Sequence, residues 1–264
     1  MKRFEYALLL LLLSSCGTLR KLPEGEQLYR GTEIVLHSTE PIENRSALEA
    51  ELANVVFPKP NGRLFWQYPG IHIHERAKAE KGARLAKKLN KRYGEAPVYM
   101  SQLKTERIAQ LMQNRLENRG YFGHDIQLVK AGKGRKGVLR AEIRLDPPYR
   151  LNKYEWYGPQ DSLARLLLPQ LPKGNLQPGS RYDLDALRSE RERLDTWLKN
   201  RGYFAFSADY FIFRADTNLN NRQFNLYLSF KAACPPEALL PYRINSVSVF
   251  PNYQVQADSG QSSK

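Results

Sequence analysis

The chain has 264 residues, with 41 Lys and Arg against 27 Asp and Glu and a net charge of +14. A hydrophobic fraction of 42%, with 11% aromatic residues, excludes a disordered tail, and the length leaves room for two ordinary domains or one large one. Two cysteines exclude a disulfide-rich scaffold.

At the amino terminus, Lys2 and Arg3 precede a leucine block from Leu8 to Leu13, and Ser14 and Ser15 close it. A charged start, a short apolar run and a small-residue exit make a secretory signal. The run is too short to span a bilayer, which takes roughly 20 residues. Leu13-Ser14-Ser15-Cys16 resembles the bacterial lipoprotein cleavage box. The resemblance implies a signal peptide over 1–15, a diacylglyceryl thioether on Cys16, an acylated (palmitate-type) amine and a lipidated linker over 16–26. Two or more acyl chains hold a protein stably where one does so only marginally. Gly17 follows in place of a retaining aspartate, so the expected address is the outer membrane, with the periplasmic face the expected side. With Cys16 lipidated, Cys234 has no intrachain partner. Export also argues against nucleic acid as the partner of the positive charge. That charge either faces anionic head groups or lipopolysaccharide phosphates, or is a solvated surface.

An internal repeat organises the rest. Leu116-Glu117-Asn118-Arg119-Gly120-Tyr121-Phe122 recurs as Leu198-Lys199-Asn200-Arg201-Gly202-Tyr203-Phe204, and Pro148-Tyr149-Arg150-Leu151-Asn152 as Pro241-Tyr242-Arg243-Ile244-Asn245. Each copy opens with a strand, at 28–37 and 149–157, and a short helix, at 42–56 and 161–171. A longer helix follows, marked by Leu103, Ile108, Leu111, Met112 and Leu116 in one copy and by Leu184, Leu187, Leu194 and Leu198 in the other. Asp183 is placed to cap the second of these. Gly120 and Gly202 stand where a helix needs a left-handed stop. Two strands close each copy. Leu139, Ala141, Ile143 and Leu145 alternate with Arg140, Glu142 and Arg144, and Phe224, Leu226, Leu228 and Phe230 with Asn225, Tyr227 and Ser229, which predicts one wet face per strand. Residues 132–137 read as a flexible hairpin loop, and 216–221 as its counterpart.

This strand-helix-helix-strand-strand order, with Gly-Tyr-Phe before the fourth element, resembles the POTRA domains of the BamA/TamA outer-membrane assembly family. The first copy sharpens the resemblance. Leu22-Pro23-Glu24-Gly25-Glu26 follows the lipid cysteine, then come Phe65-Trp66, a basic helical stretch and Glu95-Ala96-Pro97-Val98, an arrangement similar to the lipidated TamL branch of Bacteroidetes-type bacteria. The resemblance implies an α+β fold of tandem β-α-α-β-β units, each with two helices on a small three-stranded mixed sheet. Unit 1 would span 27–147 with a basic insertion at about 71–93, unit 2 would span 148–240, and 241–253 would start a third unit before a disordered tail over 254–264. Relatives carry a membrane β-barrel, expected as many alternating ten-residue segments. No such pattern follows residue 241, so the sequence reads as a fragment, a truncated product or an arm working without its own pore.

The mechanism open to such an arm is strand addition at a sheet edge. The segments after each Gly-Tyr-Phe, 124–130 and 205–213, are the candidates: His124, Ile126 and Leu128 in one, Phe206, Ala208, Tyr210 and Phe211 in the other. The expected partners are unfolded outer-membrane proteins, or a barrel or inner-membrane partner protein, in an assembly or translocation system. The alternative from another class is an envelope lipoprotein that tethers or spaces a complex without handling clients. Residues 74–92 are expected to form one basic helix whose Lys81, Arg84, Lys87 and Lys88 either contact head groups or are solvated. His72 and His74 share a face only in a strand and have no zinc-like neighbours. The Gly132–Gly137 spacing is not that of a phosphate loop, and no nucleophile arrangement is visible, so neither enzyme activity nor a cofactor is expected.

Overall fold

A computed structural model describes residues 22–64, 67–78, 84–219 and 221–249, without the side chains of Leu85 and Ala86. The signal peptide, Cys16, most of the linker, Phe65-Trp66, Lys81 and the 254–264 tail lie outside the described residues. The chain is α+β, with helices and two separate three-stranded mixed sheets, and it divides into two compact units. The first unit runs through Leu151 and also includes Gly179–Leu184 and Thr217–Phe224.

In the first unit the elements are β1 (Leu28–Ser38), α1 (Arg45–Asn54), α2 (Pro69–Lys78), α3 (Arg84–Tyr93), α4 (Thr105–Asn118), β2 (His124–Lys133) and β3 (Lys136–Leu145). The sheet order is β1-β3-β2, with β1 parallel and β2 antiparallel to β3. Period-two alternation on β3 sends Leu139, Ala141, Ile143 and Leu145 inward. There they meet Leu48 and Leu52 of α1, and Ile108, Met112 and Leu116 of α4, whose spacing of four keeps one stripe on the sheet. Each fully buried Leu or Ile contributes roughly 1.5–3 kcal/mol. Leu103 is buried in this core ahead of α4, not within it, in the position of an apolar staple against Ile108. The expected flexible loop at 132–137 is instead a tight turn. Lys133 pairs with Lys136, leaving only Gly134 and Arg135 between the strands. The expected single basic helix is two helices, α2 and α3.

The remaining elements are β4 (Arg150–Trp156), α5 (Ser162–Leu167), α6 (Leu184–Lys199), β5 (Phe211–Asp216) and β6 (Gln223–Phe230), with the second sheet in the order β4-β6-β5; all but the first residues of β4, α6 and β6 fall in the second unit. The predicted helix over 161–171 splits into α5 and a 3₁₀ stretch, Leu168–Lys173, because Pro169 and Pro172 cannot donate to an α-ladder. Asp161 caps α5, accepting from the Ala164 N–H at 2.7 Å. Leu163, Leu167, Leu171, Leu194 and Leu198 pack on Phe206, Phe211 and Leu228. The expected wet face of β6 is covered in part. Asn225 and Ser229 are buried, and the Asn225 side-chain oxygen accepts from Asn152 at 2.8 Å. On the same face Tyr227 meets the Tyr157 ring at 6.1 Å and the Lys153 ammonium at 5.5 Å.

The repeated motif is a helix stop written twice. Gly120 N–H donates to the Glu117 carbonyl and Tyr121 N–H to Leu116, both at 3.0 Å. Gly202 donates to Lys199 at 3.1 Å and Tyr203 to Leu198 at 3.2 Å. These are paired Schellman bonds, and both glycines take the positive φ the motif needs, 83° and 93°. The Leu and Tyr of each motif then pack together in the adjoining core. Gly and Tyr are accounted for by folding, whereas Phe122 and Phe204 point outward.

Candidate functional site

The two edges of each sheet differ. The outer side of β1 is occupied at its start: Tyr29 N–H donates to the Val98 carbonyl and Met100 N–H to Gln27, each at 2.8 Å. The start of β4 is held in the same way, with Leu151 N–H donating to Ser180 at 2.8 Å and Gly179 N–H to Leu151 at 2.7 Å. β2 and β5 lie at the opposite edges. Among the described residues, neither forms a bridge to any further segment. An edge of this kind presents backbone donors and acceptors to any extended chain.

β2 is the longer of the two, ten residues against six. His124, Ile126 and Leu128 line its half-buried face, Ile126 and Leu128 against the core, while Asp125, Gln127 and Val129 are exposed. His124 Nδ1 lies 2.9 Å from the Tyr121 carbonyl, which ties the start of the strand to the helix stop.

The second candidate segment differs from expectation. The strand starts at Phe211, not at residue 205. Phe206 is buried ahead of it, and Ala208 and Tyr210 form a 3₁₀ turn that Ser207 caps by accepting from the Asp209 N–H. Phe206 meets the rings of Tyr210, Phe211 and Phe230 at 5.7, 4.9 and 5.7 Å. The aromatic run is this unit's own core, because a ring cluster there buries more area than an extended segment with half its rings in water. Phe206, Ala208 and Tyr210 are therefore not on an edge strand, and Phe211 enters β5 with its ring inside.

Arg84, Lys87 and Lys88 are exposed on α3. With Lys91 they fall at the i, i+3, i+4, i+7 spacing of one helical face. None of the four forms an ion pair among the described residues. His72 and His74 sit on α2, where two-residue spacing sends them to different sides. No cluster able to hold a metal occurs among the described residues, and no described helix is long and apolar enough to cross a membrane.

Sequence reasoning missed an ion cluster in the first unit. Arg119 Nε and Nη2 donate to the two carboxylate oxygens of Glu51, at 3.1 and 2.5 Å, and Nη1 donates to Asp183 at 2.6 Å. Glu51 holds the Arg119 guanidinium above its already high ordinary pKa, with burial opposing. Arg181 reaches Asp183 at 3.7 Å and lies over the Tyr121 ring at 5.7 Å. The available signal was an arginine recurring in both motif copies, which a favourable helix-end charge explained too easily. A second missed feature is Glu190, buried in α6. Arg193 Nε and Nη2 each donate to it at 2.8 Å, and the Tyr154 hydroxyl donates at 3.4 Å.

No family model matches the chain, and no curated protein does. Solved POTRA structures do. The chain is similar to the POTRA3-5 segment of BamA from Haemophilus influenzae at 12% identity and a TM-score of 0.38, over 79% of this chain and 68% of that one. It is similar to POTRA1-2 of the periplasmic domain of Omp85 from Anabaena at 14% identity and a TM-score of 0.36, over 78% and 96%. The N-terminal domain of Omp85 from Thermosynechococcus elongatus matches at 15% and 0.31, over 78% of this chain and 63% of that one. The α+β fold class stands on the chain's own two sheets.

Proposed function

We propose that the chain is a lipid-anchored periplasmic arm of an outer-membrane protein assembly or translocation system, and that it binds client or partner proteins by adding their strands to β2. The observation that carries this reading is the asymmetry of the sheet edges: the start of β1 is occupied by residues 98–100, whereas β2 is ten residues long and meets no further segment among those described. Main-chain pairing at such an edge is tolerant of sequence, as an arm handling many unfolded strands requires. The repeat supports a modular arm, and the lipoprotein box at Cys16 supports the anchor.

Unfolded peptides corresponding to barrel strands, titrated against isotope-labelled protein, test the reading. The expected result is a set of amide shifts along β2 with slowed hydrogen exchange at its outer amides. Shifts confined to other surfaces, or no binding, would favour a passive tether instead. The anchor is tested separately: palmitate labelling in cells should be lost in Cys16→Ser.

A further inference from the structure

The stem of the proposed anchor is bonded to one hairpin. Leu22 stands six positions after Cys16. Its carbonyl accepts from Arg135 Nη1, and its side chain is buried with Leu28, Tyr68 and Ile71. Gln27 Nε2 donates to the Gly134 carbonyl at 3.0 Å, and the Leu28 N–H donates to the Arg135 carbonyl at 3.0 Å. Side-chain and main-chain bonds thus join the entry of the chain to both turn residues between β2 and β3.

That hairpin tip carries charge of one sign. Lys130, Lys133, Arg135 and Lys136 fall within seven residues, and no Asp or Glu occurs from 126 to 141. None of the four lies in an ion pair among the described residues. β2 alternates half-buried and exposed residues as far as Val129, whereas Lys130 to Lys133 are exposed without alternation, so the hairpin runs on past the core. Packing does not account for these lysines. Protection of a sheet edge accounts for Lys130 and Lys133, but not for Lys136, which lies on the central strand β3. The stem itself adds Arg20 and Lys21 in sequence, against Glu24 and Glu26. Glu26 already accepts from the Ser101 hydroxyl at 2.9 Å.

We infer that this hairpin tip docks on the anionic head groups of the leaflet that holds the anchor. Six residues of stem extend to roughly 21 Å at most, so an acylated Cys16 keeps the tip within that distance of the bilayer. A short tether makes each head-group contact intramolecular, at a high effective concentration. A lysine near an anionic surface then contributes through its charge alone and needs no fitted pocket. An acidic protein offers the same charge, but the stem would not hold it there. The inference rests on the anchor proposed above and bears on how the client edge is presented. β2 is ten residues long, about 30 Å at the usual rise of a strand. With the Lys133 end at the head groups, the 124–129 edge stays clear of them and open to an added strand.

Isotope-labelled protein purified from membranes and reconstituted in nanodiscs tests it. The discs hold phosphatidylcholine and phosphatidylglycerol, doped with a nitroxide head-group lipid. Amide signals of residues 130–136 should be broadened several-fold more than those of 124–127. That contrast should fall in discs of phosphatidylcholine alone, at high salt, and in the triple variant Lys130→Gln, Lys133→Gln, Lys136→Gln. Arg135 is left in place because it holds the stem. Broadening confined to α3, equal broadening along β2, or broadening indifferent to lipid charge and salt would overturn the inference. The lipid and salt arms use the unaltered sequence, so they decide even where thermal melting finds the variant unfolded. Intact mass separates this inference from the anchor. Lipid-bearing protein without hairpin contact overturns the docking and spares the anchor, whereas protein without lipid overturns both.

Discussion

Arg119 donates to Asp183 across 64 positions of sequence, at 2.6 Å, while the other side of the same guanidinium grips Glu51. One planar fork therefore bonds two carboxylates that would otherwise face each other in a partly buried pocket. Arginine suits the place because its donors are fixed in plane and its charge does not titrate in any ordinary range.

Removing that fork should cost more than a surface ion pair. Arg119→Met leaves Glu51 and Asp183 near one another without compensation, and hydrogen bonds to charged groups are worth about 1.5–3 kcal/mol. A stability loss of about 2 kcal/mol in urea unfolding is expected for Arg119→Met. The double variant Glu51→Gln with Asp183→Asn, in the Arg119→Met background, should recover part of it by removing the repulsion. A loss under about 0.5 kcal/mol would place the cluster with ordinary surface pairs.

The motif glycines should resist substitution. Gly120 and Gly202 hold φ of 83° and 93°, and a Cβ at Gly120 would stand 2.8 Å from the Tyr182 carbonyl oxygen. The left-handed conformation alone costs a non-glycine residue roughly 1–2 kcal/mol. Gly202→Ala and Gly120→Ala should each lower unfolding stability by at least that amount, with Tyr203→Phe close to neutral as a control.

Tyr154 makes stability sensitive to alkali. Burial, and then Glu190, push its phenol far above the ordinary value of 10.0. Below pH 10 the ring is neutral in both folded and unfolded chains and contributes no pH dependence. Above pH 10 only the unfolded chain ionises readily, so stability should fall as pH rises. Tyr29, Tyr99 and Tyr182 shift in the same direction and add to the slope. Tyr154→Phe should flatten the decline between about pH 10 and 11; an unchanged slope in thermal melts would contradict the assignment.

The basic face of α3 should carry affinity for anionic surfaces. A Lys or Arg near an anionic bilayer is worth about 1 kcal/mol. Replacing Arg84, Lys87, Lys88 and Lys91 by Gln should therefore weaken binding to phosphatidylglycerol vesicles by roughly fivefold per charge, and leave binding to neutral vesicles unchanged. Equal binding by the wild type to both vesicle types would mean that the face is simply solvated.

What could be read without coordinates was whatever depends on local periodicity and backbone chemistry. Alternation on 139–145, the spacing of Ile108, Met112 and Leu116, and the glycine stops are properties of a few neighbouring residues. The element order and the doubled architecture followed from them. Only the tertiary structure could decide matters that turn on distant partners. Whether an aromatic run such as 206–213 forms an edge or a core depends on what arrives from elsewhere, here Phe230 and Leu198, and the rings went inside. The wet face expected of β6 was partly covered for the same reason. The two roles of the repeated arginine could not be separated by sequence at all, since Arg119 and Arg201 stand in the same motif. One meets carboxylates brought from 68 and 64 positions away, while the other rests on the tryptophan four residues before it, because contacts made across the fold are set by packing and not by the motif.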